Sequence, residues 1–333
     1  MNALPLVSVV VIGRNEGTRL LRCIDSISAM RQDGFSCETI YVDSASTDAS
    51  VADAAARGAK VITLQPDRPS AALGRNAGWR AAGGEFVLFL DGDTVLHPEF
   101  VARALASMAD PQVAVVWGHR REMHPEQSIY NRVLDLDWVY PPGPSEFCGG
   151  DALMRRSVLA AVDGFDATLI AGEEPELCRR IRAHAWLILH IDAPMTLHDL
   201  AITRFGSYWK RAFRAGHAYA EVSSRFRDSA DPLWLADSRR NWLRGSVLLV
   251  SPVLLLAALA QPVLFFALLG AAALLLARST WRCRWKDPNW VTCFYYALHS
   301  QFQQIPILIG QLSQYRDARR GKQRRLIEYK PPV

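Results

Sequence analysis

A doubly wound, mostly parallel α/β sheet followed by a helical membrane-associated region is the fold class that this sequence predicts. Three observations carry that expectation. Val7 to Ile12 is a nearly continuous β-branched run, the composition of a central parallel strand. Strand-like and helix-like segments then alternate, with short polar joints at the strand ends, as right-handed crossovers require. Much later, Val247 to Ala277 carries no charged residue at all, and one spanning helix needs about 20 apolar residues.

Taken in order, the first strand breaks at Gly13-Arg14-Asn15-Glu16-Gly17, after which Leu20, Ile24 and Ile27 recur at helical spacing. Thr39 to Val42 is the second strand and ends at Asp43, with Asp48 further along the same joint. An Ala-rich helix runs to about Arg57, a third strand covers Lys60 to Leu64, and a helix covers Ala71 to Ala82. The next strand, from Glu85, is built from large apolar residues and stops at Asp91-Gly92-Asp93. Aspartate disfavours strand interiors, so the strand should end where Asp91 begins. Gly92 permits a sharp turn there. Acids at the carboxyl ends of strands lie where open α/β sheets bind ligands, and a hard divalent cation is their natural partner. An acidic turn without a ligand is the structural alternative.

Beyond Asp93 the spacing predicts a helix over Pro98 to Met108 and a strand over Val113 to Trp117. His119 to Pro144, rich in Arg, Trp, Tyr and Pro, reads as an irregular excursion, either shaping a second substrate's pocket or solvated. The glycines of Cys148-Gly149-Gly150-Asp151 permit close backbone approach. Ser157 to Val162 and Glu173 to Arg182 read as helices, the second opening on acids that suit its dipole. Leu187 to Ile191 is a last strand, and His198 follows the Pro194 turn.

Composition narrows the classes. A chain of 333 residues, half of them hydrophobic, can bury a sizeable core. The net charge of +5 is concentrated late, in the basic tail after Gln314. A basic run beside an apolar segment points to a membrane surface, not to nucleic acid. Six scattered cysteines without a Cys-x-x-Cys pair imply neither a zinc site nor a disulfide framework. The start of the chain lacks a basic region followed by a long apolar core, which places the N-terminal domain in the cytoplasm.

Pro252, Pro262 and Gly270 interrupt the charge-free run, and Arg residues flank it on both sides. Basic flanks at both ends are awkward for a single crossing. A hairpin over about 247–277, bent near Gln261-Pro262, dips into or just across the bilayer. Trp290 to Ser313 reads as an interfacial helix along the membrane. The expected division is therefore a catalytic domain over 1–235 and a membrane-associated region over 236–333.

Asp43, Asp48, Asp91, Asp93 and Glu173-Glu174 follow one another at strand ends or helix starts. With Val7 to Glu16, Val42 to Asp48, Gly74-Arg75-Asn76-Ala77-Gly78 and Gly172 to Arg180, this pattern resembles the family 2 inverting glycosyltransferases and their GT-A fold, over roughly Val7 to His198. The membrane hairpin and tail resemble, more loosely, its exopolysaccharide-assembly branch. The resemblance implies a nucleotide-sugar donor, with Mg²⁺ or Mn²⁺ held by Asp93 directly and by Asp91 nearer the ribose. It implies that Asp43 accepts a hydrogen bond from the base, that Asn15 and Glu16 line the nucleotide cleft, and that Arg75 contacts base or diphosphate. Asp48 has a better structural role as a helix N-cap, and Glu16 has a capping alternative. His198 is either a further metal ligand or a structural histidine.

The family's motif places an aspartate as the catalytic base where this chain has Glu174, one methylene longer; Glu173 is the reserve. Glu176 and Arg180 match the motif's end and brace the helix. Trp209 to Arg214 lacks the Gln/Arg-x-x-Arg-Trp signature of processive synthases, which implies one sugar per encounter. The expected reaction moves a sugar, from a UDP-sugar or similar donor, to a lipid-linked polyprenyl saccharide at the cytoplasmic membrane. Direct transfer to polyprenyl phosphate and an inactive membrane scaffold are the alternatives. A dinucleotide oxidoreductase is disfavoured, since no Gly-x-Gly-x-x-Gly follows the first strand.

Overall fold

The computed structural model describes residues 4–321. They form two compact units: residues 4–123 with 140–200, and residues 124–139 with 201–321. In chain order the first unit begins β1 (Leu6–Gly13), α1 (Thr18–Ser28), β2 (Ser36–Ser44), α2 (Ser50–Ala56), β3 (Lys60–Leu64), α3 (Ala71–Ala81) and β4 (Phe86–Asp91). It continues with β5 (Thr94–Leu96), α4 (Phe100–Ser107) and β6 (Val113–Glu122). The chain then contributes α5 (Ile129–Asp135) to the second unit before β7 (Gly143–Pro144), β8 (Ala152–Arg155), α6 (Arg156–Ala161), α7 (Glu173–Ala183) and β9 (Leu187–His198).

The sheet runs β3-β2-β1-β4-β8-β6-β9-β5, with β7 paired to β9. β3, β2, β1 and β4 are parallel, as the alternation predicts; β8 runs antiparallel to both β4 and β6. The β1 residues Val7 and Val9 to Val11, and Val87 to Leu90 of β4, are fully buried, which explains the absence of alternation in their sequences. Gly74 and Gly78 let α3 lie close on β1: a Cβ at Gly74 would stand 3.1 Å from Ile12, and one at Gly78 would collide with Val10. The Gly-Arg-Asn-Ala-Gly motif is thus partly a packing motif, and it delivers Arg75 to the sheet's carboxyl edge.

Three elements depart from the expected boundaries. β6 continues to Glu122, and β9 runs on through Pro194 to His198 because bulges take up its irregular register with β6. The excursion read as irregular contains α5, which packs with the late helices. Asp48 stands one residue before the N-cap, Ala49; its Oδ1 still accepts the Ser50 N–H at 3.0 Å while Oδ2 accepts the Gly17 N–H at 3.1 Å.

The second unit is helical: α5, α8 (Phe205–Arg225), α9 (Leu235–Ala258), α10 (Pro262–Cys283), α11 (Trp290–Phe302) and α12 (Gln304–Arg319). α9 and α10 are long and apolar enough to cross a membrane, and they turn at Leu259–Gln261, where the bend was expected. The expected interfacial helix is two helices. α11 exposes Trp290, Val291, Phe294 and Leu298, whereas α12 buries Ile307, Leu308, Gly310 and Gln311 against α8 and α9. α8 and α12 touch backbone to backbone, since a Cβ at Gly216 would strike the Ile307 carbonyl and one at Gly310 that of Phe213. Residues 201–235, expected with the catalytic domain, pack with these helices. A buried polar set joins them: Tyr208 Oη lies 2.8 Å from His299 Nδ1, and Tyr296 Oη donates to Asp137 Oδ1 at 3.0 Å. Of the basic tail, residues 322–333 lie outside the described residues.

Candidate active site

Strand register assembles the site. β1 pairs with β2 and β4 so that Gly13 faces Asp43 and Ile12 faces Asp91, which brings both acids to one edge of the sheet. Gly92 donates its N–H to the Ile12 carbonyl at 2.8 Å, and the turn carries Asp93 under that edge. β5 then pairs antiparallel with β9, setting Thr94 opposite His198. His198 Nε2 comes 3.3 Å from Asp93 Oδ1. One potential ligand atom from each of Asp91, Asp93 and His198 lies within 4.8 Å of the others. Two carboxylates and an imidazole form a donor set suited to Mn²⁺ and acceptable to Mg²⁺.

Arg75 is buried and joins two parts of the edge. Its Nη2 lies 2.9 Å from Asp91 Oδ1, and its Nη1 lies 2.8 Å from Glu173 Oε1. Asp91 and Glu173 hold the guanidinium pKa above its ordinary value against the pull of burial. Through these two pairs its guanidinium ties β4 to α7. Removing it strands two carboxylates that lose their counter-ion. Arg75→Met is expected to destabilise the protein by on the order of 3 kcal/mol, read from denaturant midpoints.

Gly172 takes a left-handed φ of 86° to start α7, and Glu173 and Glu174 follow in its first turn. Glu174 is nearly buried. Its Oε1 accepts the Cys148 N–H at 2.6 Å and the Cys178 thiol at 3.1 Å. Burial pushes both thiols up, so they stay protonated, and the Cys178 thiol serves the carboxylate as a donor. Glu176 and Arg180 form a bidentate pair at 2.7 and 2.6 Å, and Arg180 also reaches the Gly164 carbonyl, bracing α7 as expected.

On the far side of β1, Asp43 is buried, with Oδ1 accepting from Tyr41 Oη at 2.9 Å and Oδ2 from the Ser46 N–H at 2.8 Å. Burial and the Asp43 charge push the Tyr41 phenol up, so it remains a donor. Asn15 sits at a positive φ of 54° and crosses to the next loop, its Oδ1 accepting the Thr47 N–H at 2.7 Å. Glu16 pairs with Arg19 at 3.0 Å at the start of α1, whose N-cap residue is Gly17 with no side-chain cap bond, so Glu16 does not cap the helix. Asn15, Glu16 and Asp43 therefore share one wall, and Asp91, Asp93 and His198 the adjoining one.

Asp151 is the residue that sequence reasoning passed over. It is buried, accepts the Asp91 N–H at 3.0 Å through Oδ1, and accepts Thr196 Oγ1 at 2.9 Å through Oδ2. Burial first, and then the Asp91 charge, raise its carboxyl to about 6. The signal was the Gly149-Gly150 pair, read only as backbone approach. A Cβ at Gly150 would come 2.8 Å from Arg75 Nη2 and 3.0 Å from Asp91 Oδ2, so the glycine admits the acid beside it. A carboxyl with a raised folded pKa binds a proton more tightly in the folded state. It therefore costs nothing below about pH 4, and the cost grows as pH rises through 6. In metal-free buffer Asp151→Asn is expected to be more stable than wild type at pH 8, by up to about 3 kcal/mol. Near pH 4 the two should melt alike; an equal difference at both pH values would disprove this account.

The profile of glycosyl transferase family 2 matches residues 8–162, the segment that holds Asp43, Arg75, Asp91, Asp93 and Asp151. Residues 8–162 are a glycosyl transferase family 2 domain. The chain is 26% identical over 242 residues to the pre-mycofactocin glycosyltransferase of Mycobacterium tuberculosis, a match over 68% of this chain and 49% of that protein. The chain thus spans about half the length of the first curated relatives it matches. The succinoglycan biosynthesis protein ExoO of Rhizobium meliloti is 35% identical over 121 residues, 34% of each chain. Among solved structures, the mannosyltransferase PcManGT from Pyrobaculum calidifontis, in complex with GDP-Man and Mn²⁺, superposes with a TM-score of 0.67 at 20% identity, over 95% of this chain and 88% of that one. At that identity the likeness shows a shared GT-A fold.

Proposed function

We propose that this family 2 domain is an inverting, metal-dependent glycosyltransferase that moves a sugar from a nucleotide-sugar donor to a lipid-linked saccharide at the cytoplasmic membrane. One observation carries the reading: the Asp91, Asp93 and His198 donor set and the Glu173-Glu174 helix start are joined through the Arg75 guanidinium. A cation and a base thereby reach one sugar from neighbouring elements.

The donor's base and ribose lie along Asn15, Glu16 and Asp43, with Asp43 accepting from the base. Asp93, His198 and Asp91 would hold Mn²⁺ or Mg²⁺, which would supply positive charge beside the diphosphate leaving group. Arg75 fixes Asp91 and keeps a positive charge behind the leaving group. Glu174, its Oε1 anchored by Cys148 and Cys178, takes the acceptor hydroxyl's proton on Oε2. The acceptor oxygen forms its bond to the anomeric carbon as the bond to diphosphate breaks on the opposite face, so the configuration inverts. Embedding of α9 and α10 lets the enzyme search a surface for an acceptor that hangs from a lipid. The functional division, catalysis before residue 235 and membrane association after it, follows the same reading.

The test is a donor screen in native membranes. UDP-, GDP- and dTDP-sugars are supplied with Mn²⁺, and released nucleoside diphosphate and labelled lipid are measured. One donor class is expected to be consumed, with label in an oligosaccharide lipid and loss of turnover on chelation. Label in bare polyprenyl phosphate, or turnover indifferent to the chelator, would overturn the acceptor or the metal assignment respectively.

A further inference from the structure

Away from the sheet, the second unit holds a groove of about 650 Å³ whose lining includes Arg227, Trp242, Tyr315, Arg316, Arg319 and Arg320. Arg227 follows α8, Trp242 belongs to α9, and the others lie at the end of α12. Basic residues in a last helical turn suit the helix dipole, which accounts for the α12 arginines taken alone. It does not account for Arg227 or Trp242, which reach the same groove from outside α12. None of the four arginines forms an ion pair with a described residue, and the acid of that turn, Asp317, is buried.

The groove also has an apolar continuation. Trp242, Leu249, Val253 and Leu256 recur at helical spacing down one stripe of α9, and all four are exposed. A tryptophan heading an apolar stripe, next to unpaired cations, is the arrangement found at headgroup depth in a bilayer.

We propose that this groove binds the phosphate of an anionic phospholipid headgroup, with the acyl chain running along the α9 stripe. The proposal rests on the reading of α9 and α10 as membrane-embedded. Charge complementarity selects the ligand: four guanidiniums present bidentate donors to phosphate oxygens, while Trp242 and Leu312 cover the glycerol and the first methylenes. A free phosphate would use the arginines and leave the stripe idle.

The experiment is calorimetric titration of the full chain in maltoside micelles with short-chain phosphatidylglycerol, phosphatidylcholine of equal chain length, and glycerol phosphate. Phosphatidylglycerol is expected to bind at least tenfold more tightly than the other two. Arg316→Gln, Arg319→Gln and Arg320→Gln combined should weaken it on the order of a hundredfold, and each alone about fivefold. Trp242→Ala should weaken the lipid and leave glycerol phosphate unchanged. Arg278→Gln with Arg282→Gln, of similar charge loss outside the groove, should change affinity less than twofold, with circular dichroism verifying each fold. Equal affinity for the two lipids, an unaltered triple variant, or glycerol phosphate binding as tightly as phosphatidylglycerol would overturn the proposal. Membrane fractionation of the wild-type chain tests the embedding by itself, and neither readout needs a sugar donor.

Discussion

Replacing Asp93 by alanine is expected to lower turnover by about 10³-fold or more, at the scale of losing a group that stabilises charge in the transition state. The carboxylate is buried against His198 at 3.3 Å and shares a 4.8 Å cluster with Asp91. Together with Asp91 and His198 it would hold a cation that supplies positive charge where the departing diphosphate gains negative charge. Asp93→Ala leaves the backbone contact with Asp199 intact, because Asp199 donates to the Asp93 carbonyl and not to its side chain. Calorimetry with nucleoside diphosphate separates the causes. Mn²⁺ should tighten nucleotide binding in wild type and have little effect in the variant. If Mn²⁺ promotes binding equally in both, the metal lies elsewhere and the site assignment is wrong.

Glu174→Gln should cost between about 10² and 10⁴ in kcat with donor KM little changed, the size of a general-base contribution. Glutamine keeps an oxygen to accept the Cys148 N–H, which Glu174 accepts at 2.6 Å, so α7 should stay in place while proton acceptance is lost. Glu173→Gln is predicted to behave differently. Glu173 faces Arg75 at 2.8 Å and, through it, Asp91, so its loss should raise donor KM and weaken metal dependence more than it lowers kcat at saturation. Steady-state kinetics on the two variants distinguishes them. A kcat collapse in Glu173→Gln with a mild effect in Glu174→Gln would exchange the roles.

These two glutamates show how far a local pattern reaches. Glu173 and Glu174 are legible as acids opening a helix, and the resemblance names one of them as base. Which carboxylate is tied to Arg75 and which to Cys148 depends on where α7 docks, and its contacts lie 98 and 26 residues away in the chain. Asp91 and Asp43 were legible for a simpler reason: polar residues end buried strands, and parallel strands end on the same edge. Asp151 was hidden because its meaning comes from an antiparallel neighbour. β8 pairs with β4 in a sheet that otherwise reads as parallel up to that point, and no spacing in the sequence announces it.

The late helices give the same lesson in another form. The hairpin of α9 and α10 and its bend follow from composition, since a charge-free run broken by proline has few alternatives. α12 shares enough apolar character with α11 to read as one interfacial helix, but glycines at 216 and 310 let it sink against α8. Residues 124–139 could not be placed from sequence, because they leave the sheet to pack with helices more than seventy residues further on.

By itself the sequence determined the alternation of strands and helices as far as β4, the acids at strand ends and the apolar hairpin, because each depends on neighbours within a few residues. Tertiary structure alone decided that His198 meets Asp93, that Arg75 bridges Asp91 and Glu173, and that Asp151 supports Asp91. Those contacts are set by sheet order and helix docking, where the free energy of burial is shared among residues far apart in the chain and leaves no local period to read.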